Sequence, residues 1–202
     1  TNTVIVPPLL DRKDDKWNRI ISKSNNDIIK LVYSGNPGKH KDKLNIIIES
    51  INEINDSIIQ FTIVGITKEQ YLMYYPEHVE LLDNLKDKIT FLGRVSHKES
   101  INLVMESDFQ IFIRENKRVN NAGFPTKFVE SMACGTPVIT TRTSDLNNYL
   151  VENENGFFVD YDNTRSLVSI LNTINSMERS EIYRMKNYCL SINTFDYRNY
   201  KD

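Results

Sequence analysis

Little in this sequence is extreme, and its shortages narrow the field. Among 202 residues there are two cysteines, seven glycines, six prolines and one tryptophan. Cys134 and Cys189 stand far apart and outside any metal-ligand spacing. They exclude a disulfide framework or a zinc module and read as buried free thiols of a reducing compartment. No run of about 18 apolar residues occurs, which excludes a spanning helix, and no secretory signal opens the chain. Charge of neither sign dominates: 25 Lys and Arg against 27 Asp and Glu leave a net charge of −2. A generic nucleic-acid or anionic-membrane binder needs a basic field, so that class is set aside. No internal repeat or low-complexity tract appears. What is present is 40% hydrophobic and 26% charged, the balance of an ordinary globular domain. A chain of this length buries roughly 70% of its unfolded surface without a disulfide or metal staple. It opens on Thr1 rather than Met, as a processed or excised segment would.

The apolar pattern alternates between two periods. Nearly continuous runs at Ile28–Tyr33, Ile58–Val64, Ile89–Leu92, Phe109–Ile113 and Pro137–Thr140 read as strands buried on both faces of a parallel sheet. Between them lie helical stripes: Leu44, Ile47, Ile48, Ile51 and Ile54; then Leu167, Val168, Leu171 and Ile174; then Ile182, Met185, Cys189 and Ile192. Thr67 with Gln70 and Ser96 with Glu99 have capping-box spacing, Pro125 suits a first helical turn, and Gly135 suits the stop. The alternation predicts an α/β fold with a right-handed parallel sheet flanked by helices. Glu152–Val159 breaks the pattern, and Asn155-Gly156 predicts a small hairpin. Residues 1–27 read as an incoming segment, the first 17 as a linker, 28–178 as the α/β domain and 179–202 as a closing helix and tail.

In open parallel sheets ligands bind beyond the carboxyl ends of strands, where loops feed helix N-termini. The loop Ser34–Lys43 carries Gly35 and Gly38, which let the backbone approach a ligand. It also carries Lys39, Lys41 and Lys43 before a helix start, a setting that favours a phosphate or diphosphate. It is not a Walker A loop, because the leading glycine is missing and His40 replaces the hydroxyl residue. The alternative reading is a solvated, lysine-rich turn. The loop Asn120–Lys127 runs into a helix bearing Glu130. Gly123 permits a special backbone angle, and Glu130, flanked by apolar neighbours, suits a sugar diol or, alternatively, a lysine or backbone partner. Gly93 and Arg94 form a third, plainer turn. His40, His78 and His97 stand isolated, and no metal cluster or Ser/His/Asp arrangement is visible.

The run Gly123-Phe124-Pro125-Thr126-Lys127-Phe128-Val129-Glu130-Ser131-Met132-Ala133-Cys134-Gly135-Thr136-Pro137-Val138-Ile139 resembles the core motif of family 4 glycosyltransferases. The loop Ser34–Lys43, Phe91-Leu92-Gly93, Asn155–Val159 and Phe195-Asp196-Tyr197 follow in the family's order. The resemblance implies a Rossmann-like domain, the C-terminal, donor-binding half of a GT-B fold. It implies retaining transfer of a sugar from a UDP- or GDP-sugar to an acceptor. Glu130 matches the glutamate that holds the ribose diol. The family's other glutamate, which places the donor sugar, falls on Ala122, so the motif is half present. Gly123, Phe124, Pro125 and Thr126 would supply contacts to sugar and diphosphate, and Gly93 and Arg94 would border the base. The family's phosphate-binding arginine falls on Asn36. Its lysine is matched by Lys41 or Lys43, with Lys39 third.

Loss of the carboxylate at Ala122 implies a donor sugar recognised differently, with Asn120, Asn121, Arg114 and Arg118 as candidate substitutes in the same loop. Lysine ammonium and helix amides would stabilise the leaving diphosphate, with no metal required. The expected partners are the nucleotide-sugar donor, an N-terminal acceptor-binding domain outside this chain, and a glycan or lipid-linked acceptor; nucleic acid is not among them. The expected setting is bacterial surface polysaccharide synthesis, in the cytoplasm or at the inner face of the membrane. A non-catalytic or split-subunit nucleotide-sugar-binding module is the alternative, and a nucleotide-sugar epimerase a weaker one.

Overall fold

The short apolar runs can pair edge to edge because each buries side chains on both faces while its backbone is satisfied by a strand on either side. The computed structural model describes residues 6–17, 27–39, 41–54 and 57–201. Six parallel strands form one sheet: β1 (Ile29–Ser34), β2 (Ile59–Val64), β3 (Ile89–Gly93), β4 (Phe109–Phe112), β5 (Val138–Thr141) and β6 (Gly156–Val159). Their spatial order is β3-β2-β1-β4-β5-β6, the Rossmann-like order. Leu31 of β1 stands in register with both Phe61 and Phe109. The chain leaves β1 toward one edge of the sheet and returns at β4 to build toward the other.

Helices α1 (Leu44–Asn52), α2 (Lys68–Leu72), α3 (Val79–Asn84), α4 (His97–Glu106), α5 (Arg118–Asn121), α6 (Thr126–Cys134), α7 (Thr164–Asn175) and α8 (Arg179–Ser191) cover the sheet. The pleat of β1 sorts them. Leu31 and Tyr33 join the core that holds Leu44, Ile47, Ile48 and Ile51 of α1, whereas Val32 joins Ile101, Val104 and Met105 of α4. Thr67 and Gln70 cap α2 reciprocally, and the Ser96 hydroxyl accepts from the Glu99 N–H at the start of α4. Gly135 ends α6 in the left-handed region at φ 66°, as its place in the sequence predicts. Pro125 stands one residue earlier than expected, at the cap rather than in the first turn.

The hairpin expected at Asn155-Gly156 is not formed. The turn lies at residues 153–155, and Gly156–Val159 is the sixth strand, parallel to β5. Asn155 works as a buried strut: its side chain accepts from the Val151 N–H at 2.7 Å and donates to the Tyr149 carbonyl at 2.9 Å. The glycine is there for close approach. A Cβ at 156 would meet the Val138 carbonyl oxygen at 2.0 Å. Gly156→Ala should therefore force β6 away from β5 and cost about 1–3 kcal/mol, read as a lowered Tm at unchanged helix content.

Residues 6–17, expected to be linker, are packed onto the domain where described. Trp17 is buried among Val32, Val64, Ala133 and Cys134, and Leu10 pairs with Asp196 near the other end of the chain. Arg12 donates to the Leu190 carbonyl at 2.8 Å. Residues 1–5 of that segment lie outside the described residues. Phe195 closes the far side, its ring 5.2 Å from Tyr149 and 6.0 Å from Phe128. Cys134 and Cys189 are free and buried, and burial pushes the Cys134 thiol up to about 12, so neither invites thiolate chemistry. Among the described residues no helix is long and apolar enough to cross a membrane.

Candidate functional site

The loops after β1 and β4 depart in opposite directions, which opens a crevice beyond the carboxyl ends of these two strands. Both loops singled out in the sequence meet there. Gly35 follows β1 in a left-handed backbone, φ 127°, and lies directly over the side chain of Lys127 from α6. The Asn36 side chain accepts from the Gly38 N–H at 2.9 Å. It shapes the turn and offers no charge, so the arginine role is not replaced at that position. Lys39 and Lys41 are exposed and Lys43 is half-buried at the start of α1, its N–H bonded to the Ile113 carbonyl at 2.8 Å. His40 lies outside the described residues.

On the other side of the crevice, Asn121, Ala122, Gly123 and Thr126 are exposed, Phe124 is half-buried and Pro125 is buried. The special angle expected at Gly123 is not used, since its φ is not in the left-handed region, and a Cβ there would meet nothing within 4 Å. Neither conformation nor packing within the chain asks for glycine at 123. What it leaves is bare backbone facing open space. Asn121 is engaged at both ends of its amide, donating to Asn116 at 2.6 Å and accepting from the Ser144 N–H at 2.8 Å. Asn120 is buried and donates to the Glu115 carbonyl at 2.9 Å.

Glu130 sits one turn into α6, half-buried, and among the described residues makes no hydrogen bond or ion pair. Burial holds its carboxyl above the ordinary value, although His97, Lys16 and Lys127 pull it back. His97 begins α4 three residues beyond Arg94, so the third predicted loop borders the same carboxylate. Arg94 itself is exposed. An ionised carboxylate this poorly compensated carries a stability cost, which has a definite sign. The folded state keeps its proton to higher pH than the unfolded chain, so stability falls as pH rises through the window just above 4.5, and the cost stays in place at neutral pH. Glu130→Gln should raise Tm by a degree or two at neutral pH and leave it unchanged well below pH 4.5.

The core of the crevice is a charged cluster that the sequence pattern did not bring together. Asp42, 2% exposed, receives Arg114 Nε on one oxygen at 2.5 Å and, on the other, Lys127 Nζ at 2.5 Å and the Tyr33 hydroxyl at 2.6 Å. Lys127 also donates to the Tyr33 hydroxyl at 2.9 Å. Burial alone would raise the Asp42 carboxyl, but the two cations outweigh it and hold the group below its ordinary range. Desolvation pulls Lys127 down to about 8 despite the ion pair. Arg114 is further fixed by a backbone N–H bond to Thr141 Oγ1 at 3.0 Å. Beyond it lies a cavity of about 450 Å³ at the ends of β4–β6, lined by Arg142, Phe158, Tyr161 and Asp162 among others. Arg118 is exposed, and His78 is buried and satisfied by Tyr71 and Glu49.

One signal for this cluster was present in the sequence. Lys127 stands in the first turn of a helix, where a cation opposes the helix dipole. A residue in that conflict asks for a tertiary partner, and Asp42 is it.

Comparison with known proteins agrees with this fold. The family described as glycosyl transferases group 1 matches residues 29–175, and the chain belongs to it. It is 28% identical over 136 residues to an uncharacterized glycosyltransferase of Methanocaldococcus jannaschii, which covers 67% of this chain and 35% of that protein. Its fold is similar to a glycosyltransferase from Rickettsia africae, with TM-score 0.74, 17% identity and coverage of 96% of this chain and 53% of the other. It is also similar to Anabaena HepE in complex with UDP and glucose, with TM-score 0.68, 17% identity and coverage of 86% and 46%. The chain thus spans about a third of the curated relative and about half of these solved structures. The six-stranded, Rossmann-like sheet is that of a GT-B glycosyltransferase domain.

Proposed function

We propose that this domain binds the nucleoside diphosphate sugar of a retaining glycosyltransferase and forms the donor-binding, C-terminal half of its GT-B fold. The observation that carries this reading is Glu130, a half-buried carboxylate without a partner, one turn beyond the bare backbone of Gly123 at the point where the sheet order reverses. A ribose offers two neighbouring hydroxyls to such a carboxylate, and each oxygen can accept one. The complexes of Anabaena HepE with UDP and with UDP-glucose favour the same ligand class. When the glycosidic bond to the diphosphate breaks, negative charge grows on the leaving group. Amides at the start of α6 and lysine at the Gly35 edge would stabilise that charge without a metal. Base contact falls to the Gly93–Arg94 turn. Acceptor and partner domain lie outside the chain, and a glycan or lipid-linked acceptor in bacterial surface polysaccharide synthesis, made at the cytoplasmic side of the membrane, fits the resemblance.

The test is calorimetric titration with UDP and with GDP in excess chelator. Binding of one nucleotide is the expected result; heat with neither would overturn the donor-site reading.

Ala122 favours a second reading. It is exposed and brings no carboxylate to the place where the family sets the donor sugar. A nucleotide-sugar-binding module without transfer would bind the nucleotide as tightly as the nucleotide sugar and would give no product when the acceptor half is supplied.

A further inference from the structure

We propose that the cation holding the donor's diphosphate in this chain is Lys127, presented from α6 beneath Gly35 and steered there by Asp42 and Tyr33, rather than a lysine of the Lys39–Lys43 loop. The inference rests on the donor-site reading above. The arginine position of the family's pattern brings no charge here, because Asn36 is neutral and turned back onto its own loop. Lys127 fills the gap from another element. An ideal Cβ on Gly35 would lie 2.8 Å from Lys127 Cε and 3.2 Å from Nζ, so the ammonium occupies the room that any side chain at 35 would need. Two of its three N–H donors go to Asp42 and Tyr33. The third has no partner among the described residues.

Charge points the same way. One carboxylate lies between two cations, Arg114 and Lys127, so the buried cluster keeps one net positive charge. Only 13% of the Lys127 side chain is exposed. A buried net charge is expensive unless a counter-charge arrives, and a diphosphate at the crevice would supply one. Asp42 is shared by both cations, one on each oxygen, so its single charge cannot neutralise Arg114 and Lys127 together. The free amides at the start of α6 add their positive end to the same spot. Asp42 and Tyr33 are positioning residues, whereas Lys127 touches the ligand. A cluster that merely fastened β1, α1 and α6 together would have no reason to keep a net charge at the mouth of the crevice.

The test compares nucleotide with nucleoside, UDP against uridine and GDP against guanosine, on the whole 202-residue chain. Lys127→Met should weaken the diphosphate by about tenfold or more and leave the nucleoside within about twofold. Lys41→Ala and Lys43→Ala should each cost less than about threefold. A Lys127→Met protein that binds the diphosphate like the parent, or loses nucleoside and diphosphate equally, would overturn the assignment. So would a Lys41 or Lys43 variant that carries the tenfold loss instead. A second readout does not depend on the methionine variant folding. Burial pulls Lys127 down to about 8, so parental affinity for the diphosphate relative to the nucleoside should decline above that pH, and in Lys127→Arg it should not. The groups facing Lys127 are Asp42, Tyr33, Arg114, Lys41 and Glu130; the first two are held away from this range, Asp42 below and Tyr33 well above. A diphosphate-to-nucleoside affinity ratio that stays flat to about pH 9.5 in the parent would overturn the assignment. A parent that binds no nucleotide and no nucleoside overturns the donor-site reading itself, a different outcome from any of these.

Discussion

Glu130→Ala should weaken binding of the cognate nucleoside diphosphate by roughly a hundredfold, because two hydrogen bonds to a charged acceptor are each worth about 1.5 kcal/mol. The loss should follow the ribose and not the phosphates. For the parent, a nucleotide lacking both ribose hydroxyls should bind as weakly as the full nucleotide binds to Glu130→Ala. For the variant, removing the hydroxyls should change little. That double cycle separates a diol acceptor from a carboxylate that only shapes the helix, since a structural role would make the two losses add. Calorimetry on four combinations suffices. Glu130→Gln should fall between, because an amide oxygen still accepts one hydroxyl but without charge. Losses in Glu130→Ala that are equal for both nucleotides would remove Glu130 from the site. The gain in stability predicted for Glu130→Gln comes from the same cause, since a carboxylate held ready without a partner is costly until a ligand arrives.

The parts of this molecule written in short-range pattern were legible before the fold was known. Five strand positions agree with the sheet to within a residue or two because apolar runs that must be buried on both faces admit few alternatives. The caps at Thr67 and Ser96 and the stop at Gly135 are local chemistry and also hold. The sixth strand was misread because Asn-Gly has two uses. Its hairpin use depends on the turn itself, whereas here the glycine answers to the Val138 carbonyl, 18 residues away in sequence. In the candidate site, Gly35, Gly123 and Glu130 stand out in the sequence because they lie within motifs. The cluster that joins them is not legible there, since Asp42 stands between Lys41 and Lys43 and its partners Tyr33, Arg114 and Lys127 lie 9, 72 and 85 residues away. Buried ion pairs have no sequence period. They show up only as local contradictions, such as a lysine at a helix N-terminus.

Asp42→Ala should be strongly destabilising. It removes the carboxylate shared by Arg114 and Lys127 and leaves two cations buried side by side, a loss of about 3–5 kcal/mol. For a domain of this size that lowers Tm by about 10 °C. The damage should be relieved in part by a second change: Asp42→Ala with Lys127→Met removes one of the stranded charges and should be more stable than Asp42→Ala alone. Acid distinguishes this from simple loss of volume. Asp42 is held below 3.8 by its two cations, so its stabilisation is complete above that pH and disappears as pH falls through the lowered value. The gap in stability between parent and Asp42→Ala should therefore persist to pH 4 and close only below 3.8. A gap that closed near neutral pH, or a variant within about 0.5 kcal/mol of the parent, would show that the crevice is open to water and its charges screened. The crevice would then owe its affinity to loop lysines, and Lys127 would lose the electrostatic reason for its place beneath Gly35.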